Sequence, residues 1–249
     1  MTVDAAFVAT QADSEPEKFG PGSDILKDHP DQVIDSINGT HILAFNAYPV
    51  FRPQYLLLTL DSYRSQNEPM DLQDFEASWK FLDSTSNPHF VMYNCTKDAG
   101  CSRYHKHMQI LRKPELADIN DPDIFRFFPD AKETVPHVPY VYFLRQLDHV
   151  LPDDAEAVFN EYTQLLRQCR KLLGLHENDS SSLCPHNILF VKEWLIVIPR
   201  RRGSYEGISA NAAGMMGMPI IPHMSYYQAW IDKGPANILE QLGVSSRNT

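Results

Sequence analysis

The stretch Arg103-Tyr-His-Lys-His-Met-Gln-Ile-Leu111 constrains this chain more than any other. It places His105, His107 and Gln109 at alternate positions of an apolar, strand-like run. Successive side chains of a strand point to opposite faces and same-face neighbours sit roughly 6.5 Å apart, so two imidazoles and a carboxamide form one polar row. A neutral imidazole is a good nucleophile near pH 7 when an acceptor holds its second ring nitrogen. Such a row suits phosphate chemistry, one histidine attacking while its neighbours orient it and bind oxygen. Just upstream, Asp98-Ala-Gly-Cys-Ser102 is a small-residue turn whose backbone N–H groups and Ser102 hydroxyl can cradle phosphate oxygens. Two other readings stay open. A half-buried strand that shows His and Gln to water has the same spacing. A His-x-His pair is also half of many metal sites, although no His-x-x-Glu-His or Cys-x-x-Cys second half accompanies it.

A chain of 249 residues, 43% apolar and 22% charged, is long enough for a substantial core in one large domain or two small ones. Its formal charge of −10 argues against non-specific nucleic-acid binding, which needs a basic face. A small anion needs only a local cluster such as Arg200-Arg201-Arg202, which is equally readable as a solvated surface run. Cys95, Cys101, Cys169 and Cys184 have no framework spacing. With no signal-peptide pattern and no apolar run long enough to span a bilayer, the expectation is a protein of the cytosol, the nucleus remaining possible, with no membrane partner.

Residues 1–35 are polar and aperiodic and read as an arm; 36–249 read as a single domain, 36–150 forming a catalytic half and 151–249 a half that completes the site. His41–Asn46 and Gln54–Leu60 predict a hairpin across a Pro-bounded turn. Leu72, Phe75, Trp79 and Leu82 fall at helical spacing within 71–82, and acidic residues open that run. Pro88–Asn94 predicts a strand entering the small-residue turn, and the histidine strand follows. A segment rich in Asp and Pro, about 113–136, reads as a linker, and Val138–Leu144 as another strand. Val158, Tyr162, Leu165, Leu166, Cys169 and Leu172 line one side of a helix over 155–173, with Gly174 as its stop. His186–Val191 and Trp194–Pro199 form a strand pair, and short helices are expected over 211–218 and 236–242. Lys192 and Glu193 join that strand pair, where they also read simply as a charged hairpin tip.

Taken together, Asn46-Ala-Tyr-Pro-Val50, Asn94, Gly100-Cys-Ser-Arg-Tyr-His-Lys-His-Met-Gln109, Asn187-Ile-Leu-Phe-Val-Lys-Glu-Trp194, Ile198-Pro-Arg-Arg201 and Gly207-Ile-Ser-Ala-Asn-Ala-Ala-Gly214 carry a resemblance. In this order the chain resembles the fungal-type diadenosine tetraphosphate phosphorylases (ATP adenylyltransferases) of the histidine-triad and galactose-1-phosphate uridylyltransferase superfamily. The resemblance implies an α+β fold, a histidine-triad-like central antiparallel sheet with flanking helices. It also implies a two-step transfer: the central motif histidine, here His107, attacks the α-phosphorus of a dinucleoside polyphosphate. A nucleotide leaves, and inorganic phosphate then releases a nucleoside diphosphate from the nucleotidyl-histidine. His105 and Gln109 are expected to assist, and a backbone carbonyl to hold the second nitrogen of His107.

Gly100, Cys101, Ser102 and Arg103 are expected at the phosphates. Family correspondence nominates Asn46, Ala47 and Asn94 for nucleotide contacts, and Lys192, Glu193 and Arg202 for the second half of the ligand. No covalent cofactor and no protein metal site are implied; a divalent cation such as Mg²⁺ is expected with the substrate phosphates. Alternatives to phosphorolysis are another acceptor such as sulfate, or a diverged homologue that binds adenine nucleotides without chemistry. The family usually carries lysine where this chain has Ala47, and glutamine where it has Arg103. The N-terminal region is shorter than is typical, leaving Lys18 or Lys27 as candidates for a substrate lysine found there in the family.

Overall fold

The computed structural model describes residues 18–114, 130, 138–147, 154–176, 179 and 181–248. Eight strands form one antiparallel sheet: β1 Val33–Ile37, β2 His41–Phe45, β3 Gln54–Thr59, β4 His89–Cys95, β5 His107–Arg112, β6 Phe143–Gln146, β7 His186–Phe190 and β8 Trp194–Pro199. Their spatial order is β1-β2-β3-β5-β4-β7-β8-β6, and every neighbouring pair is antiparallel. Strands from both halves of the chain therefore share one sheet. The α+β architecture with flanking helices is the one expected.

Two long helices cover one face, α2 (Leu72–Ser84) and α3 (Ala155–Leu172). The first starts at a capping box: the Asp71 carboxylate accepts from the Asp74 amide at 3.1 Å, and the Asp74 carboxylate accepts from the Asp71 amide at 2.7 Å. The second starts at Asp154, which accepts from the Ala157 amide, and stops at Gly174 with φ +72°. Phe75, Trp79 and Leu82 of α2 and Val158, Tyr162 and Leu165 of α3 are buried against Leu57, Met108, Val91, Ile188 and Val197 of the sheet. Burial of each large side chain contributes about 1.5–3 kcal/mol, and this layer fixes the far side of the strand that carries the histidines.

On the other face the C-terminal helices α4 (Ala212–Met215), α5 (Met224–Lys233) and α6 (Pro235–Leu242) close over Phe90, Met92, Leu189, Trp194 and Ile196. Trp194 and Met215 belong to this core. They leave uncovered the stretch of β3 and β5 that faces the same way near Gln54, Leu56, His107 and Gln109.

Several expectations are revised here. Of the segment read as an arm, residues 1–17 lie outside the described residues, but 18–35 are built in. A short helix α1 (Asp24–Asp28) buries Ile25 against Leu56 and Leu58, and β1 begins at Val33 inside that segment. The strand expected at 138–144 is displaced: β6 is Phe143–Gln146, and the preceding residues instead bond the C-terminal segment, Val141 donating to the Val244 carbonyl. Helix α5 has no counterpart in the expected elements, and neither has the small β9–β10 ribbon (Ser204–Tyr205, Ile208–Ser209). The expected linker at 113–136 lies, apart from 113, 114 and 130, outside the described residues.

Candidate active site

The uncovered face is a cleft of about 510 Å³. Its floor is the exposed side of β3 and β5, with Leu56, Leu58, His107 and Gln109; α1 brings Asp24 and Ile25 to one side. The segment Ser209–Asn211 and the rim residues Ile220, Pro222 and Tyr226 close the other side, facing Asn46 and Tyr48.

His107 is 6% exposed and lines this cleft. Its Nδ1 lies 2.8 Å from the carbonyl oxygen of His105. A carbonyl can only accept, so Nδ1 carries the proton and the lone pair lies on Nε2, which has no partner among the described residues. Burial pushes the His107 imidazole down to about 4, against the opposing pull of the His105 carbonyl, so the ring is neutral at pH 7. Its main chain is clamped too. The Gln66 side chain accepts from the His107 amide at 2.8 Å and donates to the carbonyls of His107 and Asn94, tying the ends of β4 and β5 together.

His105 is fully buried and engaged elsewhere: Nε2 donates to the Thr59 carbonyl at 2.9 Å, and Nδ1 meets the Ser23 hydroxyl at 3.2 Å. It lines the cleft as well, and what it offers His107 is its backbone oxygen.

The turn before the motif runs Lys97–Ala99 in a tight helical turn and then Gly100 with φ +86°. A Cβ on Gly100 would sit 2.6 Å from the Ala210 carbonyl oxygen, so only glycine fits. Of the expected cradle Gly100, Cys101, Ser102 and Arg103, the last two have donors free of any partner among the described residues. The amides of Gly100 and Cys101 are used inside the turn, donating to Lys97 and Thr96. The N–H groups of Ser102 and Arg103 and the Ser102 hydroxyl have no partner among the described residues, and both residues line the cleft. Burial pushes the Cys101 thiol up to about 11, which makes it a neutral neighbour and no second nucleophile. Arg103 pairs with Asp24 at 3.0 Å, both side chains partly exposed.

Gln109 also lines the cleft. Its Oε1 accepts from Gln54 Nε2 at 2.8 Å, and its own Nε2 has no partner among the described residues. Asn46 is on the rim, its carboxamide accepting from the Tyr48 amide. Asn94 lies beneath the cleft: it is 3% exposed, and its Oδ1 accepts from Asn187 and from the Ala212 amide that opens α4. Ala47 lines a separate shallow depression with Gln32 and Arg52.

Lys192 and Glu193 are at the β7–β8 hairpin tip, at the end of the sheet opposite the histidine turn, and Lys192 pairs with Asp83 of α2. The register of β7 against β4 carries this tip to the far end of the sheet, and neither residue is among those lining the cleft. Arg202 is exposed and outside the cleft lining, and Lys18 and Lys27 are exposed and outside it as well. The described cleft thus has one cation, Arg103, among its lining residues. Among the described residues no group of three or more His, Cys, Asp or Glu is arranged to hold a metal ion.

Residues with no local signal complete the site. Arg200, first of the triple-arginine run, is fully buried and donates to the carbonyls of Ala99, Ala210 and Leu242 and to Asn187 Oδ1. It ties the turn, the cleft wall and α6 to one another, and burial lowers it to about 10, still a cation at neutral pH. Gln54, Gln66 and Ser23 belong to the same class: their partners come from distant strands, so spacing along the chain does not announce them.

A strand-borne neutral histidine in a cleft on an antiparallel α+β sheet defines the class, and comparison with known proteins defines the family. Residues 6–124 match the Ap4A phosphorylase N-terminal domain and residues 136–245 the ATP adenylyltransferase C-terminal domain. The chain belongs to the Ap4A phosphorylase family. Diadenosine 5',5'''-P1,P4-tetraphosphate phosphorylase 2 of Saccharomyces cerevisiae is 26% identical over 221 residues, 78% of this chain and 67% of its own length. Protein APA1 of the same yeast is 27% identical over 73% of this chain and 61% of its own. The chain thus spans about two thirds of the length of these relatives. The crystal structure of yeast Ap4A phosphorylase Apa2 in complex with AMP is similar in fold, with a TM-score of 0.71 at 21% identity, over 90% of this chain and 80% of that one. The Apa2 complex with Ap4A gives 0.63 over 90% and 83%. Among the described residues no helix is long and apolar enough to cross a membrane.

Proposed function

We propose that this chain cleaves diadenosine polyphosphates with inorganic phosphate, giving ATP and ADP from the tetraphosphate. The observation that carries the reading is the neutral His107 ring, held through Nδ1 by the His105 carbonyl 2.8 Å away, with Nε2 open to the cleft. Family membership supports the substrate class.

In the first step Nε2 attacks the α-phosphorus of one adenosine, the bond from that phosphorus to the bridging oxygen breaks, and ATP leaves. The charge gained by the imidazole is met by the Nδ1–H···O=C bond. Charge growing on the non-bridging oxygens is met by donors that have no other partner among the described residues: Gln109 Nε2, the Ser102 hydroxyl and the amides of Ser102 and Arg103. In the second step a phosphate oxygen attacks the same phosphorus, the P–N bond breaks, and ADP leaves with His107 neutral again. A glutamine at 109, unlike a histidine, cannot take a proton from water, which favours transfer over hydrolysis. Asp24 is a lone carboxylate in the cleft lining, so a divalent cation enters with the substrate phosphates and not at a protein site. The cytosol is the proposed compartment.

The test is intact mass after mixing with diadenosine tetraphosphate without phosphate, quenched by denaturant at neutral pH. One adenylyl group should appear on the wild type and none on His107→Ala, and added phosphate should release it as ADP. Thermal protection by AMP with no adduct in any condition overturns the reading in favour of a binding protein.

A further inference from the structure

We infer that Gln54 is a positioning residue for this transfer, setting which end of the Gln109 carboxamide faces the reacting phosphoryl group. The inference rests on the reading of His107 as the nucleotidyl acceptor. Gln54 opens β3 and Gln109 lies in β5; Leu56 is directly opposite Gln109, so the two glutamines are diagonal neighbours on the cleft face. The Gln54 side chain is 4% exposed and bonded at both ends: Oε1 accepts from the Val50 amide at 2.9 Å, and Nε2 donates to Gln109 Oε1 at 2.8 Å.

The direction of this relay is fixed by chemistry. A backbone N–H can only donate, so the Gln54 oxygen must face Val50 and its NH2 must face Gln109. Gln109 must then offer its oxygen to Gln54, which leaves its NH2 for the cleft. Without Gln54 a free carboxamide rotates by half a turn at little cost, and half the time presents an oxygen lone pair to a phosphoryl oxygen. The same residue holds the loop that carries Asn46 and Tyr48, because the Gln54 carbonyl also accepts from the Asn46 amide at 2.9 Å.

Two isosteric variants separate these roles. Gln54→Glu keeps an acceptor for Val50, and so keeps the loop, but cannot donate to Gln109 and turns that carboxamide round. Gln54→Met removes both bonds. The rate of adenylyl-adduct formation in single turnover, and KM for diadenosine tetraphosphate, are measured for each, alone and in a Gln109→Ala background. Both variants are expected to lose about tenfold in rate with KM changed less than about threefold, a loss typical of an interaction made in the transition state. Neither should lose more in the Gln109→Ala background, since a residue that acts only through Gln109 has nothing left to orient. A Gln54→Glu rate within about twofold of wild type, or an equal loss with and without Gln109, overturns the inference while leaving the nucleophile intact. A wild type that forms no adduct overturns both.

Discussion

The Nδ1 of His107 is held by the carbonyl of His105, two residues earlier on the same strand, at 2.8 Å. The alternation that puts both histidines on one face thus gives them different duties, the first supplying a main-chain acceptor and the second a lone pair. Because burial pushes the His107 ring down to about 4, its Nε2 is unprotonated over the whole neutral range. The single-turnover rate of adduct formation should be flat from about pH 9 to about pH 5 and should fall as pH drops through about 4. A profile that falls near 6.5, the ordinary histidine value, would mean that the ring is solvated and not held as described.

Gly100 should not tolerate a side chain. Its φ of +86° and the Ala210 oxygen, 2.6 Å from where a Cβ would lie, both act against Gly100→Ala. A loss of about 1–3 kcal/mol is expected from the backbone conformation, read as a shift in the urea midpoint. Adduct formation should fall as well, since the turn that carries Ser102 and Arg103 must move.

Much of the frame was legible along the chain, and the reasons are physical. The helices at 71–82 and 155–173 each have an apolar stripe and an aspartate cap, and β3, β4, β7 and β8 are apolar runs with turn residues between them. Strand β1 was not legible, since Val33 to Ser36 are exposed at the sheet edge and carry no alternation. Helix α5 buries only Trp230 and so lacks a stripe. The motif marked His107 and Gln109 because a strand's period is local. Gln54, Gln66 and Arg200 reach the site through pairing of distant strands, and a run of three arginines looks the same whether its first member is in water or, as here, in the core.

Behind β5, Lys106 points away from the cleft into a fully buried ion pair, its ammonium 2.6 Å from Asp74, which also meets His41 at 3.0 Å. Burial would raise the Asp74 carboxyl, but His41 and Lys106 outweigh it and hold it at about 2. A carboxyl lowered on folding stabilises the fold fully above its ordinary value near 4 and loses that contribution as pH falls toward 2. Asp74→Asn should therefore cost about 3–5 kcal/mol at pH 7 by leaving the ammonium unpaired, and less at about pH 3. The joint change Asp74→Leu with Lys106→Met should recover part of the loss, short of the missing helix cap and of the partners that the buried His41 ring nitrogen and the Pro69 carbonyl lose, about 1 kcal/mol or more each. Urea denaturation at the two pH values measures all three.

Asp24 restrains the one cation that lines the described cleft. It is 3.0 Å from Arg103, and with more than a third of the arginine side chain exposed the pair contributes at most about 1 kcal/mol to stability. In the proposed reaction its larger effect is on the substrate, because a phosphate approaching Arg103 would compete with a carboxylate already in place. Asp24→Asn removes that competitor and one negative charge from the cleft lining; because the Asp24 charge also favours the protonated His107 ring, its loss leaves Nε2 unprotonated at neutral pH. KM for diadenosine tetraphosphate should fall by roughly three- to tenfold with kcat within about twofold, and the gain should shrink with added salt as the charges are screened. The reciprocal change, Arg103→Met, should raise KM by at least that factor. Steady-state kinetics of both variants at two ionic strengths tests the pairing, and an Asp24→Asn variant with higher KM would show that the carboxylate holds the arginine where the phosphate needs it.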